Sequence, residues 1–181
     1  MTTTSAPDER PAVAMSDEAY GALRTSAALW AGTSVLITNR RGQVVVQRVS
    51  YRPTRLLPGG TPEPEDGGDP VATAVREARE EAAAELAGTR YLGYLSDPDG
   101  PCARVRYAAS LKSLAAARAD PATGRTYVRI LATPEQALEF FDWGPSAAEE
   151  QVAAAHQARV LLGIPKASHQ PVTELPNPTS W

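Results

Sequence analysis

Apolar and polar positions along the chain follow two periods. Ser34–Thr38 and Gln43–Val49 are β-rich runs, and Asn39-Arg40-Arg41-Gly42 between them predicts a hairpin loop. Tyr91–Leu95, Ala103–Leu111 and Tyr127–Ala132 predict three further strands, with Asp97-Pro98-Asp99-Gly100-Pro101 turning between the first two. Between the hairpin and these strands the period becomes helical. Val71, Ala74, Val75, Ala78, Ala82 and Leu86 share one stripe, Asp69 suits the N-cap, Pro70 the first helical position and Gly88 the stop. Thr133-Pro134-Glu135-Gln136 has capping-box spacing and opens a short helix that Trp143-Gly144-Pro145 breaks. Ser146 and Glu149 form a second such box, opening a helix that runs to about Leu162 and stops at Gly163. Strands with few interposed helices predict the α+β class, a mixed sheet packed between helices.

The ends are different. Residues 1–28 read as a flexible polar arm carrying a short helical pattern from Ser16 to Arg24, and residues 165–181 as a proline-rich tail. Residues 29–164 remain as one domain, long enough for a real core. No internal repeat is present.

Charge narrows the function. A net charge of −3 and a pI near 5.5 argue against a nucleic-acid polymer as partner, which calls for a basic face. Of 18 basic residues only Lys112 and Lys166 are lysine, which reads as coding bias rather than as a phosphate-binding signal. Cys102, the single cysteine, excludes an internal disulfide and a cysteine-based zinc site. As a nucleophile it has only His156 and His169 for activation, one in a helix and one in the terminal segment, which disfavours that role. No apolar run reaches membrane-spanning length and the N-terminus lacks a signal pattern, so the chain reads as soluble and cytoplasmic.

The chemistry concentrates in one stretch. Leu57-Pro58-Gly59-Gly60 makes a turn that exposes backbone amides, and the helix that follows carries Arg76-Glu77-Ala78-Arg79-Glu80-Glu81. Glu77, Glu80 and Glu81 lie at i, i+3 and i+4, where three carboxylates can converge on one point. Like charges at this spacing repel, and a hard cation such as Mg²⁺ relieves that repulsion. On the glutamates alone a solvated face with weak ion pairs is the plainer reading, and the glycine turn before them is what shifts the balance. Arg48, Arg52 and Arg55 approach the same turn in sequence, and the arginine fork suits phosphate. Trp30, Tyr51, Tyr94, Tyr107 and Trp143 are aromatics that can stack a base or fill a core.

With Gly60 placed before Arg76-Glu77-x-x-Glu80-Glu81, the chain resembles the Nudix hydrolases. Their signature runs Gly, five residues, Glu, seven residues, then Arg-Glu-apolar-x-Glu-Glu-x-Gly-apolar. Three departures stand out. Fifteen residues separate Gly60 from Arg76 where the pattern has thirteen, so that counting back from Arg76 puts Gly68 at the place of the first glutamate, with Glu63 and Glu65 as nearby substitutes. Ala83 replaces the late glycine, and small Ala78 holds the apolar position. The resemblance implies an α/β/α sandwich over about residues 30–164 and cleavage of a nucleoside diphosphate linked to another moiety. It implies Mg²⁺ or Mn²⁺ held by Glu77, Glu80 and Glu81, and Arg76 orienting a glutamate. Glu80 and Glu81 become the catalytic carboxylates, with Glu81 one candidate for the general base, and Gly59, Gly60, Arg52 and Arg55 the substrate-binding set. Homodimers are common in the family. Gly68 also keeps a second reading open, a module that binds a nucleotide-like ligand without turning it over.

Overall fold

The computed structural model describes residues 30–48, 55–96, 103–138, 145–168 and 170–175. The short helical pattern at 16–24, the turn at 97–101, Tyr51, Arg52, Cys102, Trp143 and His169 lie outside them. Seven strands form one mixed sheet: β1 (Trp30–Thr38), β2 (Val44–Arg48), β3 (Arg55–Leu56), β4 (Ala84–Ser96), β5 (Ala103–Leu114), β6 (Val128–Ala132) and β7 (Thr173–Leu175). The order across the sheet is β4-β5-β1-β2-β6-β7, with the short β3 also on β2. Only the β1–β5 pair is parallel; the others are antiparallel. Among the described residues three helices cover it: α1 (Pro70–Ala82), α2 (Pro134–Leu138) and α3 (Pro145–Leu161).

Strand alternation sorts the core into two layers. Val35, Ile37, Val45, Val105, Tyr107 and Leu131 pack under α1, whose Ala74, Ala78 and Ala82 are fully buried. Leu36, Val44, Val46, Ala108 and Ile130 point the other way, against Ala137 of α2 and Ala154, Ala155 and Ala158 of α3. This is the expected α/β/α arrangement. The small alanines on both helical layers let the helix backbones lie close to the sheet. Tyr107 is core, edge-on to Tyr91 at 6.4 Å, and so does not present itself to a base.

The predicted hairpin is present. Asn39 Oδ1 accepts from the amides of Arg41 and Gln43, and Gly42 takes a left-handed φ of 78° that closes the turn. Beyond the single pair Thr38–Val44, β1 and β2 part. The Pro58–Gly60 segment fills the opening: Thr33 N donates to Gly60 O at 2.8 Å and Val35 N to Pro58 O at 2.9 Å. The glycine turn is thereby wedged into the sheet itself, beside α1.

Two expectations change. The glutamate-bearing helix ends at Ala82, not near Gly88: Ala83 takes a left-handed φ of 50°, and Ala84 already pairs with Leu114 of β5. A long antiparallel ladder outcompetes another helical turn, and Leu86 reaches the core from a strand. The C-terminal segment is also more than a tail. Gln136 Nε2 donates to Gln170 O at 2.6 Å, Thr173–Leu175 pairs with β6, and Leu175 enters the core under α1. Elsewhere Thr133 and Gln136 make the predicted reciprocal cap on α2, and Gly163 (φ 66°) terminates α3.

Candidate active site

The site is built where the wedged turn meets α1. Asp69 caps the helix by accepting from Val71 N, and Pro70 opens it. The buried face of α1 then presents Thr73 and Glu77 alongside its alanines. Glu77 stands against the turn so closely that a Cβ on Gly60 would run into its carboxylate, and a Cβ on Gly59 would run into the Thr33 carbonyl oxygen. Backbone bars any side chain at Gly59, whereas at Gly60 the obstacle is the end of the Glu77 side chain, which can shift. Gly59→Ala, pressed backbone against backbone, is expected to lose about 2 kcal/mol of stability. Gly60→Ala should keep its fold by circular dichroism but, by displacing Glu77, lose roughly tenfold to a hundredfold in turnover.

Arg76 is the hub of the loop. Its Nε and Nη2 donate to Asp66, Nη2 to Thr61 O at 2.8 Å, and Nη1 to Glu77 Oε1 at 3.0 Å and Glu80 Oε2 at 2.8 Å. Asp66 is buried at the end of a single 3-10 turn, Pro64–Asp66, and also accepts from Thr73 Oγ1 at 2.8 Å and Glu63 N at 2.9 Å. Burial alone would raise the Asp66 pKa. The donors from Arg76, Glu63 and Thr73 together outweigh it and hold the carboxyl below its ordinary value.

Asp66 corrects the counting from Arg76. Read forward from Gly60, five residues lead to Asp66, so the first half of the Gly-x-x-x-x-x-Glu pattern stands with aspartate for glutamate. The two extra residues fall after it, where Gly67 and Gly68 both adopt left-handed φ (62° and 76°) with open space around them. Glu63 reaches Arg76 at 3.4 Å but is not the buried anchor.

Glu81 is held differently. Its Oε2 accepts from Gly59 N at 2.9 Å and from Gln47 Nε2 at 2.6 Å. The Gly59 amide is therefore spent on a glutamate rather than left open to a ligand. Glu77 and Glu80 share the Arg76 guanidinium while Glu81 faces the turn, so among the described residues no three carboxylates surround one point. Burial, and then the charge of Glu81, push the Glu77 carboxyl up to about 7. Burial likewise raises Glu81, against the bonds from Gly59 and Gln47. Glu81 has no cationic partner among the described residues, and the pair offers only oxygens, which is the chemistry a hard divalent cation satisfies.

That imbalance sets a pH dependence. Between about pH 4.5 and 7 the folded protein keeps a proton on Glu77 that the unfolded chain has released. Stability of the cation-free protein is thus expected to fall as pH rises through this window, by about 2 kcal/mol. Denaturant midpoints at pH 5 and pH 8 in EDTA measure it, and Mg²⁺ at pH 8 should restore the loss.

Sequence reasoning missed a second group of residues behind Glu81. Arg129, 1% exposed, donates Nη1 to Ala82 O at 3.2 Å and Ala115 O at 2.6 Å, closing the C-terminus of α1. Gln47 lies opposite it in the β2–β6 register. Tyr127 is buried and donates to Asp120 Oδ2 at 3.3 Å, and burial, then the charge of Glu81, raises its pKa. The readable signal was a charged residue at an inward position of an otherwise apolar strand. Of the proposed phosphate arginines, Arg48 pairs with Glu174 at 3.3 Å, Arg55 lies in β3 opposite Arg48 of β2, and Arg52 lies outside the described residues. His156 meets Glu135 at 3.2 Å between α3 and α2.

Residues 29–146 match the NUDIX domain family model, well over half of the chain. The chain belongs to the Nudix family. Among solved structures, this Nudix domain is similar to a mutant of the Bacillus subtilis pyrophosphohydrolase BsRppH, at 21% identity and a TM-score of 0.41. That match covers 48% of this chain and 54% of the other, so it spans about half the length of that protein. No curated protein matches the chain. No helix among the described residues is long and apolar enough to cross a membrane.

Proposed function

We propose that the protein is a divalent-metal-dependent pyrophosphohydrolase that cleaves a nucleoside diphosphate linked to another moiety. The observation that carries this reading is the Glu77–Glu81 pair, Glu77 buried and Glu81 half-buried against Gly60 and Gly59, with both carboxyls raised and no cation beside Glu81 among the described residues. Glu77, Glu80 and Glu81 are the residues that would hold Mg²⁺ or Mn²⁺. When bound, such an ion neutralises the diphosphate, polarises a phosphorus and acidifies the attacking water.

The chain's own parts divide the remaining work. Arg76 is kept charged because its bonds to Asp66 and Glu80 outweigh the burial that would lower its pKa. It draws Glu77 and Glu80 to one side and ties the 61–66 loop to the helix. Glu81, with its raised pKa, is the proposed acceptor of the water proton, since a base works best when its pKa approaches the working pH. Water adds to phosphorus, the bridging P–O bond breaks, and two phosphate esters leave. Gly60, Arg52 and Arg55 are the proposed contacts for the diphosphate. The reading of a non-hydrolysing module rested on Gly68, and an acidic residue, Asp66, at the forward-counted position supports the hydrolase over it.

A panel of nucleotide sugars, dinucleotides, nucleoside triphosphates and prenyl diphosphates, assayed for phosphate ester products with Mg²⁺ in ¹⁸O-water, tests the reading. One labelled oxygen entering one product of a substrate in the panel is the expected result. A ligand that binds and returns unlabelled and intact would overturn it.

A further inference from the structure

Glu81 is tethered by one of its two oxygens. Gln47 Nε2 at 2.6 Å and Gly59 N at 2.9 Å both donate to Oε2, not to Oε1. The Gly59 amide belongs to the turn wedged beside β1, so backbone fixes it. Gln47 is held as firmly from the strand side. Its backbone in β2 pairs with Leu56 of β3 and with Arg129 of β6. Alternation puts its side chain two places beyond Val45, on the face of the sheet that α1 covers. Arg129, its neighbour across the ladder, closes α1 at Ala82, the residue after Glu81. Adjacent strands thus pin consecutive residues of the helix.

A carboxamide is a costly occupant of this place. Val44, Val45 and Val46 before it are buried and apolar, and Gln47 itself is only 1% exposed. Its Oε1 is buried with no hydrogen-bond donor among the described residues. A buried acceptor left unpaired costs stability that an apolar side chain of the same length would not incur. What Gln47 contributes is therefore its donor end, and that end meets Glu81.

We propose that Gln47 is a positioning residue for Glu81. Together with Gly59 N it fastens Oε2, which stops the carboxylate from swinging on the helix and makes Oε1 the oxygen it offers to the chemistry. The proposal rests on the reading of Glu81 as a site carboxylate.

The experiment uses the full chain. Gln47→Met keeps the length of the side chain and removes one hydrogen bond to a charged group, which is worth roughly tenfold. Turnover is expected to fall about tenfold with KM moving less than about twofold. Mn²⁺ affinity, read by electron paramagnetic resonance without substrate, is expected to weaken by a similar factor while the melting temperature barely changes. A lower melting temperature with Mn²⁺ affinity unmoved would mark a merely structural residue and overturn the proposal. The double variant shows whether Gln47 acts through Glu81. Added to Glu81→Gln, Gln47→Met is expected to change Mn²⁺ affinity less than about twofold, and a second tenfold loss there overturns the proposal. As a check that does not depend on a variant folding, the side-chain amide signal of Gln47 in ¹⁵N-labelled protein should broaden on addition of Mn²⁺. An unaffected signal in a protein that hydrolyses substrate with Mn²⁺ also overturns it. Glu81→Gln alone separates the two levels. If that variant is inactive while Gln47→Met behaves as wild type, the positioning role alone fails; if Glu81→Gln is fully active, the reading of the site fails and the proposal with it.

Discussion

Glu81→Gln is expected to lower turnover about a thousandfold while the melting temperature moves by only a few degrees. General-base removal typically costs a factor of about a hundred to ten thousand, and the loss of a carboxylate toward the cation adds to it. Stability should hold because the substitution is isosteric. The side-chain oxygen of glutamine can still accept from Gly59 N and Gln47 Nε2, the two contacts that fix Glu81. It also removes a carboxylate that burial penalises and that raises its neighbour Glu77. Steady-state kinetics with a thermal melt of the same preparation checks both halves.

The second large effect is expected at a residue without a place in the proposed chemistry. Asp66→Ala should destabilise the protein by roughly 3 kcal/mol, about 10 °C in melting temperature for a chain of this size. Asp66 is 6% exposed and accepts from Arg76, Thr73 and Glu63 N. Its removal leaves these donors buried around a void and frees Arg76 from the loop. Breaking a buried pair by deleting one partner is the costly case, because the remaining charge keeps its desolvation penalty. Activity should fall with it, since the same guanidinium aligns Glu77 and Glu80. Gly68→Ala two residues on makes the comparison. It sits at a left-handed φ of 76° but in open space, so backbone strain of about 1 kcal/mol is the whole of its expected cost.

How far the sequence carried this picture depends on the range of the interaction concerned. The Asn39–Gly42 hairpin, the Thr133/Gln136 cap and the Gly163 stop were legible because each is decided within a few residues. So was the start of α1 at Asp69-Pro70. Its end was not: the choice at Ala83 is made by β5, thirty residues on, whose Leu114 pairs with Ala84. The carboxylates were found by their spacing, yet their partners were not. Spacing predicts a shared face, whereas Arg76 drew Glu77 and Glu80 one way and Gly59 and Gln47 drew Glu81 another. Asp66 was open to a forward count from Gly60, but a backward count from Arg76 passes over it to Gly68. Arg129, Gln47 and Tyr127 owe their position behind Glu81 to strand register, which local pattern does not encode.

Cation-dependent cleavage at the Glu77–Glu81 pair is tested most directly by the metal requirement of turnover. Protein stripped with EDTA and given a diphosphate substrate from the panel should show no cleavage, and adding Mg²⁺ should restore it along a saturating curve. Full turnover in EDTA, with no response to added Mg²⁺, would contradict it.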